Sequence, residues 1–298
     1  MSRPISQPCI NEVQIVGTLL DVSTRAGVSK NNKQYESAKS TIRVTQKYTG
    51  IEETSEIVVD SFAVAQKKDG TPNPAFNSVQ TLKTFKTAQA FGYENADKVG
   101  FFSAQLGENS YYKSGVLRTT TQFNSPFSRL APKNVPIACF RVEVYIMGVD
   151  EEVDKEGMPT GRCVITGALV KYGESVDKIT LIVEDPTYAT DALRTIAQGQ
   201  TVLFEGRIRS CSKEVERKTE GLWGESSVTS TTTVRELIVT RCGRILEEDE
   251  EGYAREDISK LLAKRRAELE QKQIEAQERE KRGAKAQQKA AAAWDEDF

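Results

Sequence analysis

Histidine is absent from all 298 residues. That removes imidazole general bases, Ser/His/Asp and Cys/His nucleophilic systems, and every zinc site that needs an imidazole ligand. Cysteine is scarce and scattered: Cys9, Cys139, Cys163, Cys211 and Cys242 lie far apart and contain no C-x-x-C pair. Such spacing reads as reduced thiols of a cytosolic chain, not as a disulfide framework or a metal cage. No apolar run approaches the roughly 18 residues of a membrane span, and the N-terminus lacks a basic-then-apolar signal pattern. Phosphate loops of the G-x-x-x-x-G-K-S/T and G-x-G-x-x-G types are also missing, and no carboxylate spacing singles out an acid/base pair. A soluble cytoplasmic binding protein without enzymatic activity, cofactor or metal is the expectation.

What the chain does carry is a charge gradient. The net charge of −2 divides unevenly: residues 1–133 hold 16 Lys/Arg against 11 Asp/Glu, residues 134–246 hold 14 against 17, and residues 247–298 hold 11 against 15. A basic first part and an acidic last part fit a chain that meets a polyanion at one end and imitates one at the other. Variation between domains would give the same numbers without function.

Composition changes at the same places. Residues 10–130 and 137–245 are rich in Val, Ile, Thr, Phe and Tyr, broken by Gly, Asn and Asp, the pattern of short strands and turns. Pro126, Pro132 and Pro136 mark a boundary between them. In the first part, strands are expected from Asn11 to Leu20, Tyr35 to Val44 and Glu56 to Ala65, with a turn at Thr49-Gly50. A helix from Asn77 to Phe91 follows, capped by Asn77 or Ser78 and burying Val79, Leu82, Phe85 and Phe91. Strands from Val99 to Leu106 and Val116 to Phe123 close the set. The second part repeats the plan, with strands at Phe140–Met147, Cys163–Val170, Ile179–Val183, Val202–Ile208 and Val234–Val239, and a helix at Pro186–Ala197. Strand, strand, strand, helix, strand, strand is the order of the five-stranded OB-fold barrel. The fold class expected is therefore mainly β: two tandem OB-fold barrels at 1–130 and 131–246, a charged helix over 247–293, and an acidic tip at 294–298. Ile258, Leu261, Leu262, Leu269 and Ile274 give that helix a thin apolar stripe, which predicts docking near its start and solvent beyond.

The stretch Asn11-Glu-Val-Gln-Ile-Val-Gly-Thr-Leu19, then an Arg- and Gly-bearing loop and a strand ending Ile42-Arg43-Val44, resembles the opening of single-stranded DNA-binding proteins of the bacterial and bacteriophage type. Ser55-Glu-Ile-Val-Val-Asp-Ser-Phe62 is similar to their third strand, where an aromatic stacks on bases, and Asp295-Glu-Asp-Phe298 resembles their acidic C-terminus. The likeness covers roughly residues 10–65 and the last five. Two departures stand out: no Pro precedes Phe298, and there are two barrels per chain, which implies a monomer or a small homo-oligomer and fits a bacteriophage member acting in a host cytoplasm.

Sequence-tolerant binding of single strands needs a positive groove lined with aromatic platforms. Candidates are Arg25 and Lys33 (with Lys30) on the loop after the first strand, Lys39 and Arg43 on the outward face of the second, and Tyr35 and Tyr48 at its ends. Phe62, Lys67 and Lys68 follow on the third strand and its loop, and Tyr111, Tyr112 and Lys113 in a late turn. Each has a structural alternative: Phe62 as barrel core, Lys39 and Arg43 as a solvated face, the tyrosines as a plain turn. Arg207, Arg209, Lys213, Arg217, Lys218 and Trp223 of the second barrel either extend the track or belong to a docking domain. The resemblance implies that the tip, Trp294, Asp295, Glu296, Asp297 and Phe298, recruits replication or recombination proteins of the polymerase, helicase or primase class; the alternative is a tail kept for solubility. Taken together, the expected function is coating and protection of single-stranded DNA in replication, recombination or repair. The competing expectation is an OB-fold assembly protein, of a virion or a replisome, that binds no DNA.

Overall fold

The computed structural model describes residues 2–29, 32–113, 115–221 and 224–295, without the side chains of 113, 211–221, 224–232, 280–281 and 283–295. Two closed barrels of five strands dominate it. The first uses β1 (Asn11–Val28), β2 (Gln34–Tyr48), β3 (Ile51–Val64), β4 (Lys98–Lys113) and β5 (Val116–Asn124). Here β1 pairs with β2 and β4, β2 with β3, β4 with β5, and β3 with β5 in parallel, which closes the ring. After a two-residue strand β6 (Arg129–Leu130), the second barrel repeats this with β7 (Ile137–Val153), β8 (Pro159–Lys171), β9 (Ser175–Val183), β10 (Thr201–Gly221) and β11 (Gly224–Leu246). Again the first strand pairs with the second and fourth, and the third meets the fifth in parallel. This is the OB-fold strand order, twice.

Alternation builds each wall. On β2, Ala38, Ser40, Ile42 and Val44 point inward and are buried, while Lys39 is exposed and Thr41 and Arg43 are half-exposed, as period-2 patterning requires. Closure needs a tight crossing at Gly17, where an added Cβ would lie 2.2 Å from the Arg43 carbonyl oxygen. Thr49 and Gly50 take φ of +48° and +84° between the paired residues Tyr48 and Ile51, the two-residue turn that suits a twisted hairpin.

A short helix plugs each barrel between its third and fourth strands: α1 (Pro74–Thr81), with α2 (Ala88–Phe91) after it, and α3 (Pro186–Thr195). The start expected at Asn77 is wrong by three residues. Asn73 is the cap, its side chain accepting from Ala75 N at 3.2 Å, because Pro74 has no N–H to lose and its fixed φ suits the first helical position. Val79 and Leu82 are buried as expected and Phe85 packs against the core, but Phe91 is 54% exposed. The helix stops before Phe91 can share the apolar face. In α3, Asp185 caps Thr187 N and Tyr188 N.

The barrels are joined by an antiparallel pairing of their first strands, Asn11↔Val142 through Val16↔Ile137. Beyond them, α4 (Arg255–Asp295) starts on a buried footing of Tyr253, Ile258 and Leu261 and runs out into solvent, with Ile274 exposed. The N-terminal segment straps this footing: Arg3 N donates to Gly252 O at 2.8 Å, and Tyr253 Oη donates to Gln7 O at 2.7 Å. One carboxylate holds three parts together. Glu108 of β4 contacts Arg265 of α4 and the Ser110 hydroxyl, and accepts from Lys178 N of β9 at 2.8 Å.

With side chains 4% and 15% exposed, Glu108 and Arg265 form a buried pair whose breakage strands a charge. We expect Glu108→Ala to cost about 3–5 kcal/mol, read as a lowered denaturant midpoint, and Arg265→Ala to lose part of the helicity of α4 as well.

Candidate nucleic-acid interface

The outward face of β2 and β3 carries the candidate residues in cross-strand register: Ser37 opposite Phe62, Lys39 opposite Asp60, Thr41 opposite Val58, Arg43 opposite Glu56. Phe62 is 59% exposed, so it is not barrel core. Its ring lies 5.6 Å from that of Tyr35 at 32°, a tilted pair in which Phe62 is exposed and Tyr35 half-buried. Arg25, Ser37, Lys39, Asp60, Phe62 and Gln122 line one groove. Lys39 and Asp60 belong equally to a second groove, which runs between the barrels past Tyr111, Thr120 and Gln122 to Lys178, Thr180 and Arg235. The two grooves form one track, with aromatics at the β2–β3 end and cations from the other barrel further along.

The cations of the track and of the β2–β3 face beside it, where Arg43 lines neither groove, fall into two groups. Lys39 Nζ lies 3.3 Å from Asp60 Oδ1, and Arg43 Nη2 lies 2.6 Å from Glu56 Oε1. Arg43 also sits 5.3 Å from the Tyr93 ring centroid. By contrast, Arg25, Lys178 and Arg235 have no carboxylate partner among the described residues. Arg235 reaches across the cleft and donates Nη1 to Thr121 O at 2.7 Å, and Lys178 is exposed.

Some of the candidates sit elsewhere than expected, and several lie off the track. Arg25 is on β1, opposite Ser37, and not on a loop, because the hairpin extends to Val28 before it turns. Lys33 sits at that turn, and Lys67 and Lys68 are exposed on the turn after β3, where Lys67 N donates to Thr71 O. Tyr111 and Tyr112 are strand residues at the end of β4, opposite Arg118 and Leu117, so they point to opposite faces and only Tyr111 lines the groove. Tyr48 lines neither groove and carries Arg207 over its ring, the guanidinium carbon 4.4 Å from the centroid. The side chain of Lys113 and those of Lys213, Arg217, Lys218, Trp294 and Asp295 are outside the described set, as are Lys30, Trp223 and 296–298 altogether.

Arg207 and Arg209 do not extend the track. Arg207 pairs with Glu53 of the first barrel and, at 2.8 Å, with Glu184; Arg209 lies 2.8 Å from Glu184 and 2.6 Å from Glu236, which also binds Arg162 at 3.3 Å. Their charge is spent inside a knot against β3, where Ser210 N also donates to Ser55 Oγ. Sequence reasoning missed Lys178, Arg235 and Tyr93 as groove or flank residues. Strand parity places Arg235 correctly, but only the second barrel's position over β3 and β5 brings it to the cleft.

A model of the YorF family matches residues 10–277. The chain belongs to the YorF family. No curated protein matches this YorF member. Among solved structures it is similar to wild-type single-stranded DNA binding protein from Thermus aquaticus, with a TM-score of 0.51 and 10% identity over 80% of this chain and 94% of that one. A deletion mutant of the same Thermus aquaticus protein gives a TM-score of 0.48 and 11% identity, over 80% of this chain and 96% of the other. At such identities the likeness is one of fold.

Burial alone would push the Glu236 carboxyl up, but the hydrogen bonds and charges of Arg209 and Arg162 outweigh it and hold it below the ordinary glutamate value of 4.5. A depressed carboxyl stabilises the fold above that value and ceases to do so as pH falls through the folded-state value. The thermal midpoint of the wild type should therefore fall more steeply below about pH 4.5 than that of Glu236→Gln, with the variant about 1–3 kcal/mol less stable at neutral pH.

Proposed function

We propose that the chain is a sequence-tolerant single-stranded DNA-binding protein, not an enzyme, that coats exposed strands during replication, recombination or repair. One observation carries this reading: exposed Phe62, backed by half-buried Tyr35, lines a groove that shares Lys39, Asp60 and Gln122 with a cleft whose Lys178 and Arg235 have no carboxylate partner among the described residues. Open aromatic faces suit unstacked bases, and fixed cations along a cleft suit a phosphate chain. A duplex hides its base faces and gains only the second contribution. The fold shared with the Thermus aquaticus protein supports the reading without deciding it.

The first barrel supplies the platforms and the second the far wall of the cleft. α4 then carries residue 295 about 60 Å from Arg255, which would hold an acidic-aromatic tip clear of the barrels for replication or recombination partners.

Anisotropy of a labelled thymidine oligomer, with duplex as control and at two salt concentrations, tests the reading. Single strands should bind more tightly than duplex, log K should fall with log salt by about 0.7 for each phosphate contacted, and Phe62→Ala should weaken binding roughly 5- to 150-fold, the value of one stacked base. Equal affinity for single strand and duplex, or unchanged binding by Phe62→Ala, would refute it and leave an assembly role as the better account.

A further inference from the structure

The outward face of β2 and β3 is built as a ladder of opposite charges. Lys39 faces Asp60, Arg43 faces Glu56 and Lys47 faces Glu52, with Thr41 opposite Val58 and Thr45 opposite Thr54 as uncharged rungs between. The rungs recur every four residues, about 13 Å along the strand. Both Asp60 oxygens are engaged, Oδ1 by Lys39 and Oδ2 by Gln122 Nε2 at 3.0 Å. This carboxylate stands in the middle of the track, two residues from Phe62 on the same face and common to both grooves. Glu56 lines an adjoining pocket that shares Val58, Thr233 and Arg235 with the cleft.

A carboxylate is a poor choice for a surface that only needs to attract phosphate. From this ladder we infer that Asp60 and Glu56 act as a built-in competitor for Lys39 and Arg43, limiting the affinity of the track for polyanions; the inference rests on the single-strand reading above. In the free protein the two cations are neutralised across the strands. Phosphate must displace a carboxylate to use either one, and each displaced carboxylate then repels the incoming chain. Lys178 and Arg235 carry no such restraint. The β2–β3 face therefore selects bases through Tyr35 and Phe62, and the opposite wall attracts the backbone. A strand so held can be released by small changes, since part of its ionic attraction is cancelled in advance.

The test compares wild type, Asp60→Asn, Glu56→Gln and the double variant, using a thymidine oligomer and an abasic oligomer of equal length. The double variant should bind both oligomers about 3- to 20-fold more tightly at low salt, as expected for two freed surface cations. Its salt slope should steepen by about 0.7 for each cation that now meets phosphate. Lys39→Gln should cost little in the wild type and clearly more beside Asp60→Asn. If the wild type binds thymidine and the double variant matches it in affinity and slope, the carboxylates only brace the sheet; the inference falls and the single-strand reading stands. If the wild type fails to bind and the double variant binds both oligomers alike, the restraint is confirmed and the single-strand reading fails. If neither protein binds either oligomer, both ideas are overturned.

Discussion

Six residue pairs between β1 and β7 set the position of everything else. Each strand is the first of its barrel, and each already closes its own ring with two partners. Using the spare length of both for an antiparallel pairing makes one continuous sheet of 11 strands. Val13 opposite Phe140 and Ile15 opposite Ala138 are buried, so the seam is a core and not a contact between finished surfaces. The register fixes how β10 lies over β3, and so where the arginines of one barrel meet the glutamates of the other. A slip of one residue would turn both strands inside out.

From that seam follows a division of charge. Arg207 and Arg209 are drawn into a part-buried knot with Glu53, Glu184 and Glu236, where breaking a pair at buried Arg207 is costly and the surplus charge is small. Arg235, on the neighbouring strand β11 opposite Ser210, projects into the cleft and meets a carbonyl instead of a carboxylate. Residues of one type thus serve opposite ends, cohesion and attraction, according to whether a glutamate lies within reach. Net charge by segment, the quantity a sequence offers most readily, does not separate these uses.

Local pattern was a good guide wherever one face of an element decides its burial. The alternation of β2, the turn at Thr49-Gly50, the repeated strand order and the docked start of α4 were all legible, because each follows from neighbours in the chain. The start of α1 was misread because Asn77 and Ser78 also suit a cap, whereas Asn73 before Pro74 is the one that caps. Phe91 was assigned to a helix that ends before it would face the core. The candidate site was half legible. Phe62 and Lys39 could be found on β2 and β3, but its far wall, Lys178 and Arg235, comes from residues more than 100 positions away in sequence, and no periodicity announces a contact made through a second domain.

Glu108 joins two things that are usually separate, a lining residue of the cleft and the anchor of a long helix. From Arg265 to residue 295 the helix is an arm of about 45 Å, while Glu108 reaches Arg265 on one side and the Lys178 backbone on the other. That arrangement is a lever with its fulcrum in the wall of the groove. The seating of the helix and the shape of the groove wall are thus set by one side chain.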